Sequence, residues 1–357
     1  MKILIIKPSS LGDIINTVPL VSDIKKLFPD SHITWLVNSN LSSLIPIIEG
    51  VDDIILFNRS MWKKRKSFFS FISEVSLFIK TLRKTEFDAV LDVQGLFRSS
   101  LFSLLSRSQI KAGFDNAREF ASFAYNKIIK VKNKKLHAVE QNKFILKALS
   151  DNIDDRVKFQ FAVTNDIKLK VDEILKNKGV GADFCIFAPD ARWVSKKWPL
   201  NYFIELSKLL IDSLQIDVVI VGDTFTQREW QNAQIDNRCH LLAGVTNLPE
   251  LVELMSRASF SVTNDSGPMH IAVAVNTFVF ALIGPTSPEK TGPYKNSHII
   301  DSDISCSPCF KKICPITDVS SPGQCMQDIT VSRVFELIIN NKNEWLEKFY
   351  HEGKEEK

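Results

Sequence analysis

Short apolar runs alternate with longer amphipathic stretches along the whole chain. The runs are rich in β-branched residues, as buried strands are, and the stretches between them have helical spacing. In the first half this pattern predicts strands at 2–6, 32–37, 53–57, 88–92 and 109–113 and helices near 13–28, 41–48, 67–84 and 96–107. The pattern restarts after about residue 165, with strands at 183–188, 216–221, 239–242, 259–263 and 277–282 and helices near 200–213, 225–234, 248–257, 268–275 and 330–348.

Alternation of strand and helix predicts an α/β protein with parallel sheets and helices on both faces. Because the pattern occurs twice, we expect two such domains, over residues 1–165 and 166–330, followed by a C-terminal helix and tail over 331–357. The polar residues between 155 and 180 are the expected junction. Two sheets facing each other across a cleft would suit an enzyme that joins two substrates.

The composition changes this picture little. The chain has 357 residues, 45% apolar and 24% charged, which is typical of a soluble globular protein. A net charge of +4 permits anionic partners without implying nucleic acid. We find no signal peptide and no apolar run of membrane-spanning length, so we expect a cytosolic protein whose six cysteines are thiols or metal ligands. The absence of GxGxxG and Walker motifs disfavours dinucleotide and P-loop ATPase functions.

The segment KPSSLGDIINTVPL, residues 7–20, joins the first strand to the first helix. It places Asp13 near the carboxyl end of a strand, where ligands bind in open parallel sheets. Aspartate is also among the best N-caps, and this stretch alone favours the cap.

The segment SVTNDSGPMHIAVA, residues 261–274, joins a second strand to a helix. Gly267 lets a ligand approach the backbone, and the helix N-terminus attracts phosphate. His270 lies one turn into the helix, and Asp265 is expected to meet a hydroxyl or a backbone N–H, because it would repel an anion. An ordinary capped helix explains the pattern equally well.

The segment APDARWVSKKWPL, residues 188–200, follows the first strand of the second half. Its lysines, Lys196 and Lys197, could neutralise a departing diphosphate. The alternative is a solvated basic loop with Trp198 packed beneath it.

Two further segments have unusual composition. Cys306, Cys309, Cys314 and Cys325 have the spacing C-x2-C-x4-C-x10-C, which could enclose a structural zinc or iron, the alternatives being free thiols or a disulfide. MWKKRKSFFSFI, residues 61–72, combines cations with phenylalanines and fits an anionic membrane surface. A helix whose phenylalanines pack into the domain is the alternative for that segment.

Taken together, the ordered motifs resemble glycosyltransferase family 9, the ADP-heptose:lipopolysaccharide heptosyltransferases. The resemblance runs nearly end to end, through KPSSLGDIINTVP, FDAVLDVQGLFRS, GFDNAREF, HAVEQN, SKKWP, LAGVTNLPELVELM, NDSGPMHIA and GPTSP. GFDNAREF and HAVEQN are most similar to the heptosyltransferase I branch. The resemblance implies a GT-B fold of two Rossmann-like domains, with the acceptor on the N-terminal domain and the donor on the C-terminal one.

The resemblance also implies roles for individual residues. Asp13 matches the catalytic base of an inverting transfer from ADP-L-glycero-D-manno-heptose to Kdo of lipid A. The donor-binding positions are Lys196, Asp265, Ser266, Gly267 and His270. The acceptor-binding positions are Lys7, Ser10, Gly12, Arg59, Lys63, Lys64 and Arg118. The resemblance implies no cofactor for catalysis and places the protein on the cytoplasmic face of the inner membrane.

Other functions stay open at this point. A heptosyltransferase II or III type enzyme of the same family would use a heptose acceptor. A UDP-sugar 2-epimerase shares the architecture but needs two acids and a histidine around its nucleotide sugar. A nucleotide-sugar-binding scaffold without activity is the non-enzymatic alternative.

Overall fold

The computed structural model describes residues 1–58, 68–131, 133 and 135–351. These residues form two compact α/β units, unit 1 over Met1–Ala162 and unit 2 over Val163–Lys357. Each unit contains one six-stranded sheet with all strands parallel. Among the helices in these ranges, none is long and apolar enough to cross a membrane.

Unit 1 follows the predicted alternation of strands and helices. Its strands are β1 (Lys2–Ile6), β2 (His32–Asn38), β3 (Asp53–Phe57), β4 (Glu86–Asp92), β5 (Arg107–Phe114) and β6 (Lys127–Ile129). Its helices are α1 (Leu11–Ile15), α2 (Val18–Leu27), α3 (Phe68–Lys84), α4 (Phe97–Leu105) and α5 (Ala138–Lys143), with 3-10 helices at Ser39–Ile47, Ala121–Ala124 and Phe144–Ala148.

The strand order in unit 1 indicates where its ligand-binding crevice is expected. The order is β3-β2-β1-β4-β5-β6, so the chain moves outward from β1 in one direction and outward from β4 in the other. Ile6 of β1 pairs with Asp92 of β4, and both strands end at this level. Ligands bind to open parallel sheets at such a switch point, beyond the carboxyl ends of the strands. The loops after β1 and β4 therefore frame the expected binding site of unit 1.

Unit 2 repeats the same architecture. Its strands are β7 (Phe184–Ala188), β8 (Asp217–Ile220), β9 (Cys239–Leu241), β10 (Phe260–Asn264), β11 (Phe278–Ile283) and β12 (Ser297–Asp301). Its helices are α6 (Asn165–Lys178), α7 (Leu200–Leu214), α8 (Thr224–Gln231), α9 (Leu248–Arg257), α10 (Gly267–Ala274), α11 (Pro288–Thr291), α12 (Gln324–Asp328), α13 (Val331–Asn340) and α14 (Lys342–His351), with a 3-10 helix at Val194–Lys196.

The switch point of unit 2 lies between β7 and β10. The strand order is β12-β11-β10-β7-β8-β9, and Thr263 of β10 pairs with Ala188 of β7. Beneath this edge the core packs Trp198, Phe203 and Trp230 of unit 2 into one buried cluster. The loop after β7 is therefore anchored to the core of unit 2 through Trp198.

Several predicted helices and strands differ from those of the structure. The first predicted helix is two helices, α1 and α2, separated at Asn16 and Thr17, and the second is a 3-10 helix with Pro46 inside. The stretch 155–180, in which the junction was expected, contains the division between the two units after Ala162. It also holds α6, whose apolar signal is weak because Val171 is its one buried residue. The edge strands β6 and β12 were not predicted, and the last predicted helix is divided between α13 and α14.

Candidate functional site

Asp13 lies at the switch point of unit 1, in the first turn of α1. The backbone N–H and the hydroxyl of Ser10 both donate to Asp13 Oδ2, each at 2.8 Å. Ser10 is the N-cap of α1, so the prediction that Asp13 caps the helix is wrong by three positions. Asp13 is instead the third residue of the helix. Its carboxylate accepts the hydrogen bond of the N-cap backbone N–H, as the acidic residue of a capping box does. With 38% of its side chain exposed, it stays reachable from solvent.

Lys7 brings a buried positive charge to the same place. Its ammonium donates to the carbonyl of Val93 at 2.9 Å and lies 3.7 Å from Asp13 Oδ1. Only 5% of the residue is exposed. Lys7 thus joins the end of β1 to the loop after β4 while it holds a cation beside the carboxylate.

The remaining predicted acceptor residues are distributed around this centre. Ser10 is exposed and contacts Asp13, whereas Gly12 is buried within α1. Arg118 is exposed, and its backbone N–H donates to the carbonyl of Gly95 in the loop after β4. Arg59, Lys63 and Lys64 lie outside the described residues, as does most of the basic segment 61–72.

Sequence reasoning missed a buried carboxyl beside this centre, that of Asp92 at the end of β4. Its Oδ1 accepts from the backbone N–H groups of Gln94 and Gly95, and its Oδ2 accepts from the Tyr125 hydroxyl at 2.8 Å. Complete burial raises the pKa of Asp92, and these hydrogen bonds only partly offset that effect. Asp92 therefore shapes the loop that carries Gln94, whose side-chain oxygen accepts from the N–H of Ser9. An acid at the end of an apolar strand was the signal that could have found it.

The switch point of unit 2 holds a partly buried ion pair. The Lys196 ammonium and the Thr286 hydroxyl both donate to Asp265 Oδ2, each at 2.6 Å. Only 16% of the Lys196 side chain and 11% of the Asp265 side chain are exposed. The ammonium also lies 4.9 Å from the centre of the Trp193 ring, a cation–π arrangement. Asp265 meets a hydroxyl, as expected, and also a lysine; Thr286 was missed because its partner is 21 positions away.

The N-terminus of α10 lies directly after Asp265. Ser266 is its N-cap, and among the described residues the buried Ser266 hydroxyl oxygen has no hydrogen-bond partner. First-turn N–H groups and the helix dipole at such a terminus attract anions. Gly267 begins the helix without a side chain, and His270 is 8% exposed one turn further on. The structure therefore brings Lys196, Asp265, Ser266, Gly267 and His270 to one edge of one sheet.

A second residue that sequence reasoning missed ties the two strands of this edge together. Asn264, fully buried at the end of β10, donates to the carbonyl of Pro189 at 2.5 Å and accepts from the N–H of Trp198 at 3.1 Å. It thereby fixes the loop after β7, which carries Lys196, against β10.

The four cysteines of residues 306–325 line one small cavity of about 50 Å³. Burial raises the pKa of Cys325 to about 11. Burial opposes ionisation of Cys314 too, but N–H groups of Gln324, Ile316 and Thr317 outweigh it and lower that pKa. Within the described ranges, no group of three or more His, Cys, Asp or Glu is arranged to hold a metal ion. The predicted zinc or iron site therefore finds no support in the described residues.

Comparison with known proteins agrees with this architecture. Lipopolysaccharide heptosyltransferase 1 of Pseudomonas aeruginosa is 29% identical over 333 residues, 88% of this chain and 87% of that protein. Lipooligosaccharide heptosyltransferase 2 of Campylobacter jejuni is 25% identical over 354 residues, 95% of this chain and 98% of that protein. The structure of E. coli heptosyltransferase WaaC with ADP-2-deoxy-2-fluoro heptose superposes with a TM-score of 0.76 at 24% identity, covering 96% of this chain and 100% of that one.

The likeness to WaaC confirms the predicted α/β class and GT-B fold. The family model of glycosyltransferase family 9 (heptosyltransferase) matches residues 75–319, more than half of the chain. This match confirms the resemblance inferred from the motifs, and with it the assignment of the protein as a glycosyltransferase. The chain belongs to glycosyltransferase family 9.

Proposed function

We propose that this glycosyltransferase moves heptose from ADP-heptose to Kdo of lipid A, with inversion at the anomeric carbon, in assembly of the lipopolysaccharide inner core. One observation carries the proposal: each sheet has chemistry of the required kind at its switch point. Unit 1 offers the Asp13 carboxylate, and unit 2 offers the Lys196 ammonium beside the N-terminus of α10. A base and a diphosphate-binding site are the two parts that a sugar transfer of this kind needs.

The donor half of the mechanism follows from the charges in unit 2. Lys196 is paired with Asp265, so its position is set before a ligand arrives. We propose that the diphosphate of ADP-heptose shares the Lys196 ammonium with Asp265. It also accepts hydrogen bonds from the backbone N–H groups at the start of α10. As the bond between the anomeric carbon and the phosphate oxygen breaks, these groups stabilise the charge that develops on ADP.

The acceptor half uses Asp13. A hydroxyl of the acceptor transfers its proton to the carboxylate, and its oxygen attacks the anomeric carbon from the face opposite ADP. One carbon–oxygen bond forms as the other breaks, and the proton stays on Asp13 until solvent removes it. Because Lys196 and the helix terminus supply the positive charge, we propose that transfer needs no metal; reversible loss of transfer with EDTA, without unfolding, would contradict this.

One experiment distinguishes the two candidate acceptors. Purified protein is given ADP-heptose with Kdo-lipid A or with an already heptosylated acceptor, and the products are analysed by mass spectrometry. We expect one heptose to be added to Kdo-lipid A. The full-length likeness to lipooligosaccharide heptosyltransferase 2 supports the second candidate, transfer to a heptose acceptor, which exclusive modification of the heptosylated substrate would establish. Absence of ADP release with either acceptor would favour a scaffold without activity.

We also propose that the protein associates with an anionic membrane surface, where its lipid acceptor is embedded. The support comes from exposed aromatic residues in unit 1: Phe120 is 90% exposed, and Phe123 and Phe97 are about half exposed with ring centres 6.0 Å apart. Two exposed arginines are close to these rings in sequence, Arg98 beside Phe97 and Arg118 two positions before Phe120. Cations beside aromatic rings favour anionic interfaces. Flotation should occur with vesicles that contain anionic lipid and fail with purely zwitterionic vesicles.

A further inference from the structure

Both donors to the Asp265 carboxylate are themselves held by one segment of unit 2, residues 306–325, named here the cysteine loop. Lys196 belongs to the loop after β7, and Thr286 belongs to the loop after β11. These two loops are far apart in sequence, and the cysteine loop is hydrogen bonded to each of them. Its contacts therefore bear directly on the geometry around Asp265.

The first contact runs through Ser195, the residue before Lys196. The Ser195 hydroxyl donates to the carbonyl of Lys311 at 2.7 Å, and its backbone N–H donates to the carbonyl of Lys312 at 3.4 Å. Ser195 is 2% exposed, so its hydroxyl is shielded from water and depends on the Lys311 carbonyl for its hydrogen bond. Gly323 packs so closely that a Cβ there would lie 2.7 Å from the Ser195 carbonyl oxygen.

The second contact runs through the residues before Thr286. The Ser307 hydroxyl donates to the carbonyl of Gly284 at 2.6 Å, and the N–H of Phe310 donates to the carbonyl of Pro285 at 2.7 Å. Met326 and Cys325 fill the space beside Gly284, since a Cβ at that glycine would lie 2.6 and 2.7 Å from their sulfur atoms. The backbone on the amino side of Thr286 is thus fixed by the cysteine loop and the helix that follows it.

We propose that the cysteine loop sets the position of Lys196 for the donor diphosphate, with Ser195 and Ser307 as positioning residues. The inference rests on the proposed role of Lys196 in donor binding. A lysine ammonium sits on a flexible four-carbon stem, and ordering that stem costs free energy on binding. A backbone fixed at Ser195 and a carboxylate fixed through Thr286 reduce that cost before the ligand arrives.

Calorimetric binding of ADP tests the inference with four proteins: the wild type, Ser195→Ala, Lys196→Ala and the double variant. We expect Ser195→Ala to weaken ADP binding roughly fivefold, the scale of one neutral hydrogen bond. If Ser195 acts through Lys196, the same substitution has little further effect once Lys196 is alanine. A merely structural role would give the same loss on both backgrounds.

Ser207→Ala is the matched control, because Ser207 is a fully buried serine in α7 whose hydroxyl also donates to a backbone carbonyl, that of Ile204. We expect it to lower the melting temperature at most and to leave ADP affinity unchanged. Ser307→Ala is the second variant and is less buried, so it keeps the test available if Ser195→Ala fails to fold. It should weaken ADP binding in the same direction.

The outcomes separate the two proposals. If the wild type binds no ADP, the proposed function falls and this inference falls with it. If the wild type binds ADP and the folded Ser195→Ala and Ser307→Ala variants bind it equally well, the inference alone is overturned. Additive losses from Ser195→Ala and Lys196→Ala would overturn it too.

Discussion

At the scale of single residues, the two carboxylate oxygens of Asp13 make different contacts. One oxygen accepts both hydrogen bonds from Ser10 and closes the start of α1, and the other faces the ammonium of Lys7. The helix start therefore holds the side chain in one orientation, as a general base requires. Because of these contacts, a change at this position would affect stability as well as the proposed catalytic role. An informative substitution must therefore keep the shape of the side chain.

Asp13→Asn meets that condition, since its amide oxygen can still accept from Ser10. We expect kcat to fall by about 100- to 10,000-fold, the usual contribution of a general base, while ADP affinity stays unchanged. ADP release with Kdo-lipid A measures the first and calorimetry the second. The control is Asp53→Asn, which removes an exposed carboxylate paired with His32 at the opposite end of the sheet. Near-normal turnover in the folded Asp13→Asn variant would rule out the assignment of the base.

The cysteine thiols give a second prediction at this scale, because their surroundings differ. Hydrogen bonds from three residues lower the pKa of Cys314, whereas burial raises the pKa of Cys325 to about 11 and that of Cys239 to about 12. Thiolates are the reactive form, so iodoacetamide near neutral pH should alkylate Cys314 well before Cys325 or Cys239. Peptide mass spectrometry over time follows each site. Equal rates at Cys314 and Cys325 would contradict the difference in ionisation.

At the scale of elements, Gly113 of β5 leaves room for Tyr125, a residue outside the strand that contacts the buried acid of β4. A Cβ at Gly113 would lie 2.2 Å from the Tyr125 ring, so the absent side chain of Gly113 lets that ring lie flat on the strand. The ring's hydroxyl then reaches Asp92 at 2.8 Å. This packing connects the sheet core to the loop after β4, which borders the Asp13 centre.

Tyr125→Phe removes that hydroxyl and should cost about 1–3 kcal/mol of stability, the usual penalty for a buried acceptor that loses its partner. Burial raises the pKa of Asp92, so its stabilising contribution is present at low pH and is lost as pH rises through the folded-state value. Losing the tyrosine raises that pKa further. The stability difference between wild type and variant should therefore be smallest at low pH, near the ordinary aspartate value of 3.8, and grow as pH rises through the raised folded-state pKa of Asp92.

Urea unfolding at several pH values measures this difference. Tyr202→Phe is the control, since Tyr202 packs its ring against Trp198 in unit 2. Its stability difference should not depend on pH in this range. A constant difference for Tyr125→Phe would show that Asp92 does not sense the hydroxyl.

The elements also show which features a sequence can reveal. Central strands such as β1 and β7 are buried on both faces and appear as continuous apolar runs, so they are predictable. α6 is not, because a helix that buries one valine has hardly any apolar periodicity. Asp13, Lys196 and Asp265 stand out through their position after strands. Thr286, Asp92 and Ser195 gain their roles from partners 21 to 116 positions away, which no local pattern contains.

At the scale of the whole molecule, the chain uses one sheet topology twice and assigns different residues to each switch point. The chain remains attached to unit 1 up to Ala162, whose N–H donates to the carbonyl of Ile47. α6 then begins after Thr164 and belongs to unit 2. The predicted donor residues all lie in unit 2, and the predicted acceptor residues that the structure describes all lie in unit 1. The division into a donor domain and an acceptor domain stays a prediction, and it is open to direct test.

Unit 2 expressed alone, residues 163–357, should bind ADP with an affinity close to that of the full chain. It has its own buried core, and Lys196, Asp265 and the start of α10 are fixed by contacts within it. Calorimetry on the fragment measures the affinity, circular dichroism checks that it is folded, and Lys196→Ala in the same fragment should weaken binding. A folded fragment that binds no ADP would mean that unit 1 supplies essential donor contacts, and the assignment of the nucleotide to unit 2 alone would be wrong.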